Sequence, residues 1–116
     1  MVELGCKEAE RLLSKMRELI QKTIAEKREY GLIVCNSRLQ ESVGKATSID
    51  VGSCNINERA TVHFHTHPLG TSWPSKADLE EWGRIRPKIA CIGTKEEVVC
   101  FTEHDGWKIQ KCSFKV

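Results

Sequence analysis

The chain has 116 residues and a formal net charge of +2; 40% of its residues are hydrophobic and 29% are charged. This composition is typical of a globular protein, and the length leaves room for one core, so residues 1–116 are predicted to form a single domain. The small net charge gives no reason to expect a nucleic-acid or membrane partner. No apolar run approaches the roughly 18 residues of a transmembrane helix. Charged residues near the start argue against a signal peptide, so we expect a cytoplasmic protein.

The first half of the chain predicts one helix followed by three strands. Apolar residues recur at helical spacing among many charges over residues 7–27, which is the pattern of a long amphipathic helix. The apolar run at 30–35 is short enough to be a buried strand. Residues 46–51 are its predicted hairpin partner across a loop at 36–44, and a third strand follows at 60–66.

The second half predicts a helix and an antiparallel meander. Residues 75–86 form the helix, which ends at Pro87. The last three predicted strands are 89–93, 97–103 and 107–114. Asp105-Gly106 is a strong hairpin turn, because glycine readily takes the positive φ that tight turns need. The order of elements predicts an α/β fold: a mixed β-sheet flanked by a long N-terminal helix and a second helix.

Three of the four histidines alternate along residues 62–67, at the end of the third predicted strand. Because side chains alternate along a strand, His63, His65 and His67 share one face. A row of imidazoles on one face has little structural purpose without a metal or a charge partner. Asp78 can return to this face through a short loop. Two imidazoles and one carboxylate suit a divalent metal such as zinc and leave a position open for water.

The spacing of these residues resembles a known signature. The run from His65 to Pro68, followed after six residues by Ser75 and then by Asp78, is similar to the H-x-H-P and S-x-x-D pattern of the JAMM (MPN-plus) zinc metallopeptidases. The resemblance implies a JAMM-like (cytidine-deaminase-like) core with one zinc ion per chain on His65, His67 and Asp78. It also implies that Ser75 helps to stabilise the oxyanion of a tetrahedral intermediate.

The resemblance also implies a substrate. Family members hydrolyse an amide or isopeptide bond at the C-terminal tail of a ubiquitin-like protein, or act on sulfur-carrier conjugates. Such a tail can bind as an added strand beside a sheet edge. The chain has no room for the insertions of larger deubiquitinases, so it looks like a small prokaryotic-type or viral-type member. His63 matches no signature position and is expected beside the ligands or facing solvent.

Hydrolysis also needs a general base for the attacking water. The family takes it from a glutamate in an E-x-x-G-L context. In this chain Arg28 and Glu29 precede Tyr30-Gly31-Leu32, so the glutamate is one residue closer to the glycine. Arginine cannot act as a base, and we therefore predict Glu29. Glu58 lies too far from the histidines along an extended strand.

Several alternatives stay open. Ser75 and Asp78 also fit a helix capping box, and Glu29 would be an ordinary solvated residue at a helix–strand junction. Two histidines and a carboxylate also bind iron in non-heme oxygenases, although those sites normally sit in a larger double sheet. A non-catalytic MPN-type scaffold or binding domain would share the fold without the hydrolysis.

The six cysteines show no C-x-x-C spacing, so a zinc ribbon is not predicted. In a reducing cytosol we expect them to stay thiols, several of them buried. Disulfides are the alternative if the source is a hyperthermophile or a virus of one. Cys100, His104 and Cys112 are a minor candidate for a second metal site.

Overall fold

The structure, a computed structural model, describes residues 4–68, 70–104 and 107–116. The helices and strands run in the order α1 (Leu4–Arg11), α2 (Leu13–Glu26), β1 (Tyr30–Cys35), β2 (Arg38–Val43), β3 (Ala60–Thr66), α3 (Lys76–Ile85), β4 (Ile89–Gly93), β5 (Glu97–His104) and β6 (Trp107–Lys115). The six strands form one sheet in the order β2-β1-β3-β4-β5-β6. β3 and β4 are parallel and the other neighbours are antiparallel, so the predicted mixed sheet is confirmed.

Helices cover both faces of the sheet. The larger core cluster joins α1 and α2 to one face, where Met16, Leu19 and Ile20 pack with Phe64 of β3 and Ile89 of β4. A second cluster lies on the opposite face. It consists of Trp82 of α3 and four sheet residues, Ala90, Ile92, Val99 and Phe101. Each strand in the middle of the sheet is therefore buried on both sides, which is why β4 is apolar throughout.

The predicted single N-terminal helix is interrupted at Leu12. The Leu12 backbone N–H donates to the carbonyl of Ala9, three residues back, and α2 starts again at Leu13. A tighter turn of this kind rotates the helix face. It lets Cys6 and Ala9 of α1 and Met16 of α2 all remain in the same core.

The predicted hairpin partner of β1 is wrong. β2, within the expected loop, pairs with β1 in register from Tyr30 opposite Val43 to Cys35 opposite Arg38. The reason is the two-residue turn at Asn36 and Ser37, which both take positive φ, at 48° and 71°. Such a turn matches the twist of a tight hairpin, and asparagine tolerates this conformation better than most residues. β2 was missed because it lies at the sheet edge and is largely exposed.

The expectation of free thiols is also wrong, because all six cysteines are paired in the structure. The disulfides are Cys6–Cys112, Cys35–Cys54 and Cys91–Cys100. Cys91 and Cys100 lie directly opposite each other on β4 and β5, so the sheet register itself brings them together. Cys100 and Cys112 are both bonded elsewhere and are not available as ligands of a second metal site. The side chain of His104 and the turn at Asp105-Gly106 lie outside the described residues.

None of the described helices has the length and apolar character needed to cross a lipid bilayer.

Candidate metal centre

The alternation of β3 divides its side chains between two environments. Val62 and Phe64 enter the core under α1 and α2. His63 and His65 point to the opposite face, towards α3, and are almost completely buried. The imidazoles of β3 therefore lie on the face of the sheet that α3 covers, next to carboxylates of that helix.

Three predicted ligands meet at the end of β3. The Nε2 atoms of His65 and His67 are 3.0 Å apart. Asp78 spans the two rings, with Oδ1 3.1 Å from His65 Nε2 and Oδ2 3.1 Å from His67 Nε2. Two ring nitrogens and two carboxylate oxygens, from three side chains that the sequence analysis singled out, thus lie around one point.

These distances fit a metal ion. Ligands bound tetrahedrally to zinc at about 2.0–2.1 Å lie roughly 3.4 Å from one another. The separations of 3.0–3.1 Å between the His65, His67 and Asp78 donor atoms are close to that value. A metal ion at this point would be bound through the lone pair of each Nε2 atom, with both rings neutral.

The backbone after β3 selects the tautomer of His67. Its Nδ1 lies 2.8 Å from the carbonyl oxygen of Thr71, and a carbonyl can only accept a hydrogen bond, so Nδ1 carries the proton. In the neutral ring this leaves the lone pair on Nε2, the atom that faces Asp78. A backbone carbonyl behind a histidine is a common way to orient a metal ligand.

Asp78 belongs to the cap of α3 as well as to the candidate metal centre. Ser75 is the N-cap of α3; its Oγ accepts from the Asp78 backbone N–H, and the Asp78 carboxylate accepts from the Ser75 N–H in return. The capping box is therefore present, and it leaves the predicted ligand role of Asp78 open. The cap orients the carboxylate, and the helix dipole favours its negative charge. Ser75 Oγ still has its own O–H to donate.

Glu29 lies at the same point, just before β1. It is only 6% exposed, and its carboxylate lies with the ring nitrogens of His65 and His67 in a group whose members are all within 4.8 Å of one another. Glu29, His65 and His67 could therefore hold a metal ion, or the carboxylate could hold a water next to one. Arg28 points elsewhere, half-exposed and 3.9 Å from Glu26. Glu58 is remote and paired with Arg38.

The backbone around Glu29 is tied to two other elements. Its N–H donates to the carbonyl of Lys45, and its own carbonyl accepts from Gly44. The next N–H, of Tyr30, donates to the hydroxyl of Thr66 at the end of β3. The Tyr30 bond connects the residue next to Glu29 to the strand that carries the histidines.

The ionisable groups of the centre have shifted pKa values. Burial raises the pKa of Glu29 to about 7. Burial also lowers the pKa of His65, which favours the neutral ring. Burial would raise the pKa of Asp78, but hydrogen bonds from His65 and His67 outweigh it and hold that pKa well below its usual range. The pKa of His67 is raised, because Asp78 and the Thr71 carbonyl outweigh the effect of burial.

A second histidine–carboxylate pair adjoins the centre and was not predicted. His63 is fully buried, and its Nε2 lies 3.3 Å from the Glu81 carboxylate on α3. Glu81 stands three residues after Asp78, so both carboxylates project from one helix face towards β3. That spacing, together with the shared strand face of His63 and His65, was a signal that the sequence did contain. The solvent-facing alternative for His63 does not hold.

A cavity of about 200 Å³ opens onto the centre. Its walls include Glu29, His67, Ser75, Asp78 and Glu81. The loop after β2, residues 46–49, forms the opposite wall. Gly31 of β1 lets Val51, just after this loop, pack closely on the sheet. A Cβ at position 31 would lie 2.8 Å from Val51 Cγ2 and 2.7 Å from the Phe64 carbonyl oxygen.

Comparison of the chain with protein-family models, with curated proteins and with solved structures finds no match. The chemistry of the centre therefore rests on the geometry of its own residues.

Proposed function

We propose that this protein is a zinc-dependent hydrolase of amide or isopeptide bonds, with a JAMM-type centre built from His65, His67 and Asp78. The observation that carries the proposal is the convergence of these three ligands beside a buried glutamate and a hydroxyl at the wall of one open cavity. Two histidines and one carboxylate leave a coordination position open, which is the mark of a catalytic rather than a structural site.

Each residue has a distinct task in the proposed reaction. Bound zinc supplies Lewis acidity, which lowers the pKa of a water and polarises the scissile carbonyl. Glu29 takes the proton of the attacking water and returns it to the leaving amine. The free O–H of Ser75 donates to the oxygen on which negative charge develops. The Thr71 carbonyl and the Ser75 cap keep His67 and Asp78 oriented.

The position of Glu29 supports an enzyme over a non-catalytic scaffold. A solvated glutamate at a helix–strand junction would be exposed, whereas Glu29 is buried beside the histidines. Its raised pKa suits a base that must both accept and release a proton near neutral pH. By the resemblance of the signature, the substrate class is the conjugated C-terminal tail of a ubiquitin-like or sulfur-carrier protein.

The first prediction concerns the metal. The purified protein is expected to hold about one zinc ion per chain, measured by elemental analysis after dialysis, with absorption spectroscopy to separate zinc from iron. Asp78→Asn should lose the metal because the amide is a poor ligand for zinc, while it still offers an oxygen to the Ser75 N–H.

The control is Glu80→Gln, which removes an exposed carboxylate from the same helix. It should retain full zinc occupancy. Full occupancy in Asp78→Asn as well would remove Asp78 from the centre and leave it as a helix cap.

A further inference from the structure

A second cavity, of about 510 Å³, lies on the other side of His67. It shares four wall residues with the cavity described above: Ala46, Thr47, His67 and Pro68. The two cavities therefore meet at a metal ligand. An extended chain whose reacting carbonyl lies at His67 would occupy both.

The two cavities have opposite charge. Glu29, Asp78 and Glu81 line the first, which we call the acidic cavity. Lys27 and Lys95 line the second, which we call the lysine cavity, and no carboxylate is among its described wall residues. The rest of the lysine cavity is largely apolar and includes Ile20 and Ile24.

Ile24 is an unusual residue for the surface of α2. It is 49% exposed at the mouth of the lysine cavity, one turn before the helix ends at Lys27. Lys27 takes a left-handed conformation there, with φ 57°, so the chain turns sharply at the cavity rim. Lys95 comes from the turn between β4 and β5. An apolar wall together with two cations fits a chain that combines apolar and acidic side chains.

The proposed chemistry gives the substrate a direction. Glu29 must deliver a proton to the leaving amine, and Glu29 lines the acidic cavity. The amine therefore departs on that side, next to Glu29. The acyl chain then extends the other way, across His67 and into the lysine cavity.

We propose that the lysine cavity binds the acyl side of the substrate and selects a C-terminal tail with acidic and apolar side chains just before the scissile carbonyl. This inference rests on the proposed hydrolysis for its direction. The selectivity comes from Lys27 and Lys95, and the apolar contacts come from Ile24 and Pro68.

The test uses two peptides with free C-terminal carboxylates, Leu-Glu-Leu-Glu and Leu-Arg-Leu-Arg, which differ only at their two charged positions. Each is titrated into the zinc-loaded protein, with binding followed by the methyl NMR signals of the isoleucines. The acidic peptide should bind about tenfold more tightly at low ionic strength and lose most of that advantage at high salt. It should shift Ile20 and Ile24, whereas Ile49 in the acidic cavity should remain unchanged.

Charge reversal provides the matched comparison. Lys27→Glu/Lys95→Glu should invert the preference, so that the basic peptide binds more tightly. Lys7→Glu/Arg11→Glu makes the same change in net charge on α1, outside the lysine cavity, and should leave the preference intact. Equal affinity for both peptides, no binding of either at millimolar concentration, or an unchanged preference after charge reversal would overturn the subsite. Shifts at Ile49 instead of Ile24 would overturn its direction.

Binding and cleavage can fail separately in these experiments. A protein that prefers the acidic peptide but cleaves no conjugate keeps the selectivity of the lysine cavity and loses the proposed hydrolysis. A protein that cleaves acidic and basic conjugates equally well keeps the hydrolysis and loses the subsite.

Discussion

Glu29 and Asp78 are two carboxylates of one cavity whose surroundings move their pKa values in opposite directions. Burial raises the pKa of Glu29 to about 7, while the two histidines hold that of Asp78 well below its usual range. Asp78 therefore stays ionised, and Glu29 can exchange a proton near neutral pH. Carboxyl groups whose pKa values are separated in this way can take different roles in one reaction.

Glu29→Gln should retain zinc and the fold while abolishing hydrolysis, because glutamine has nearly the same shape but cannot accept a proton. Turnover of a ubiquitin-like conjugate measures this, with zinc content and circular dichroism recorded alongside. The control is Glu26→Gln, an exposed glutamate bonded to the Tyr30 hydroxyl, which should stay close to wild-type activity. A Glu29→Gln variant with wild-type turnover would place the base elsewhere.

The same variant should change how stability depends on pH in the metal-free protein. Because the pKa of Glu29 is raised on folding, its contribution is fully present below about pH 4.5 and is lost as pH rises through about 7. Glu29→Gln should therefore be more stable than wild type at pH 8, by on the order of 2 kcal/mol, and nearly equal at pH 4.5. Urea denaturation at the two pH values measures the difference in stability between the variant and wild type. A variant less stable than wild type at pH 8 would contradict the raised pKa of Glu29.

Ser75 combines a helix cap with a free hydroxyl donor, and the two roles can be separated. Ser75→Ala should cost about 1 kcal/mol in the free energy of unfolding. It should also lower turnover by roughly 10²-fold, because the oxyanion loses a donor. Ser75→Thr preserves both the cap and the hydroxyl and should restore most of each. Lost stability with unchanged turnover in the alanine variant would leave Ser75 as a cap alone.

At the scale of elements, α3 lies on β3 through two histidine–carboxylate contacts. Asp78 meets His65 and His67, and one turn later Glu81 meets His63. Trp82 fills the space beside them as part of the core cluster on this face of the sheet. Few apolar side chains of α3 are buried apart from Trp82, so these polar contacts do much to hold the helix over the strand.

Glu81→Ala should destabilise the protein by about 1–3 kcal/mol, because it leaves the Nε2 atom of buried His63 without its partner. Adding His63→Phe should recover part of this loss, since an apolar ring requires no partner there. A double-mutant cycle in urea gives the coupling energy. Glu80→Ala, an exposed neighbour, should change stability by less than about 0.5 kcal/mol. Strictly additive effects of the two substitutions would show that the pair is not coupled.

At the scale of the whole molecule, disulfides join parts of the chain that are far apart in sequence. Cys6–Cys112 links the first helix to the last strand across a separation of 106 residues. Cys35–Cys54 closes a separation of only 19 residues, around the hairpin and the loop that lines the acidic cavity. Longer closed loops restrict the unfolded chain more strongly.

Removal of Cys6–Cys112 with two alanines should therefore cost more stability than removal of Cys35–Cys54. The expected losses are about 4–5 kcal/mol and about 3 kcal/mol, measured by denaturation under oxidising conditions. Zinc binding should persist without Cys6–Cys112, because that bond lies in the core on the face of the sheet away from α3. A larger loss of stability on removal of Cys35–Cys54 would mean that contacts in the native state, rather than loop closure in the unfolded chain, determine the contribution of each disulfide.

Local patterns in the sequence were sufficient to predict the centre of the sheet and to bring the candidate ligands together on one face. The strands at 30–35, 60–66 and 89–93 are as predicted, because a central strand must be apolar in a short continuous run. The alternation of β3 put the histidines on one face without any knowledge of the fold. The capping box of α3 and the direction of Asp78 followed from four consecutive residues.

Features that depend on contacts distant in sequence were decided only by the tertiary structure. β2 is an exposed edge strand, so the hydrophobic pattern of its sequence does not indicate a strand. Its pairing with β1 depends on the turn at Asn36 and Ser37, which the structure revealed. The cysteine pairs, the burial of Glu29 and the partner of His63 depend on which segments the fold brings together. A sequence pattern reports the environment that one element requires; the identity of the neighbour is set by packing the whole chain into one core.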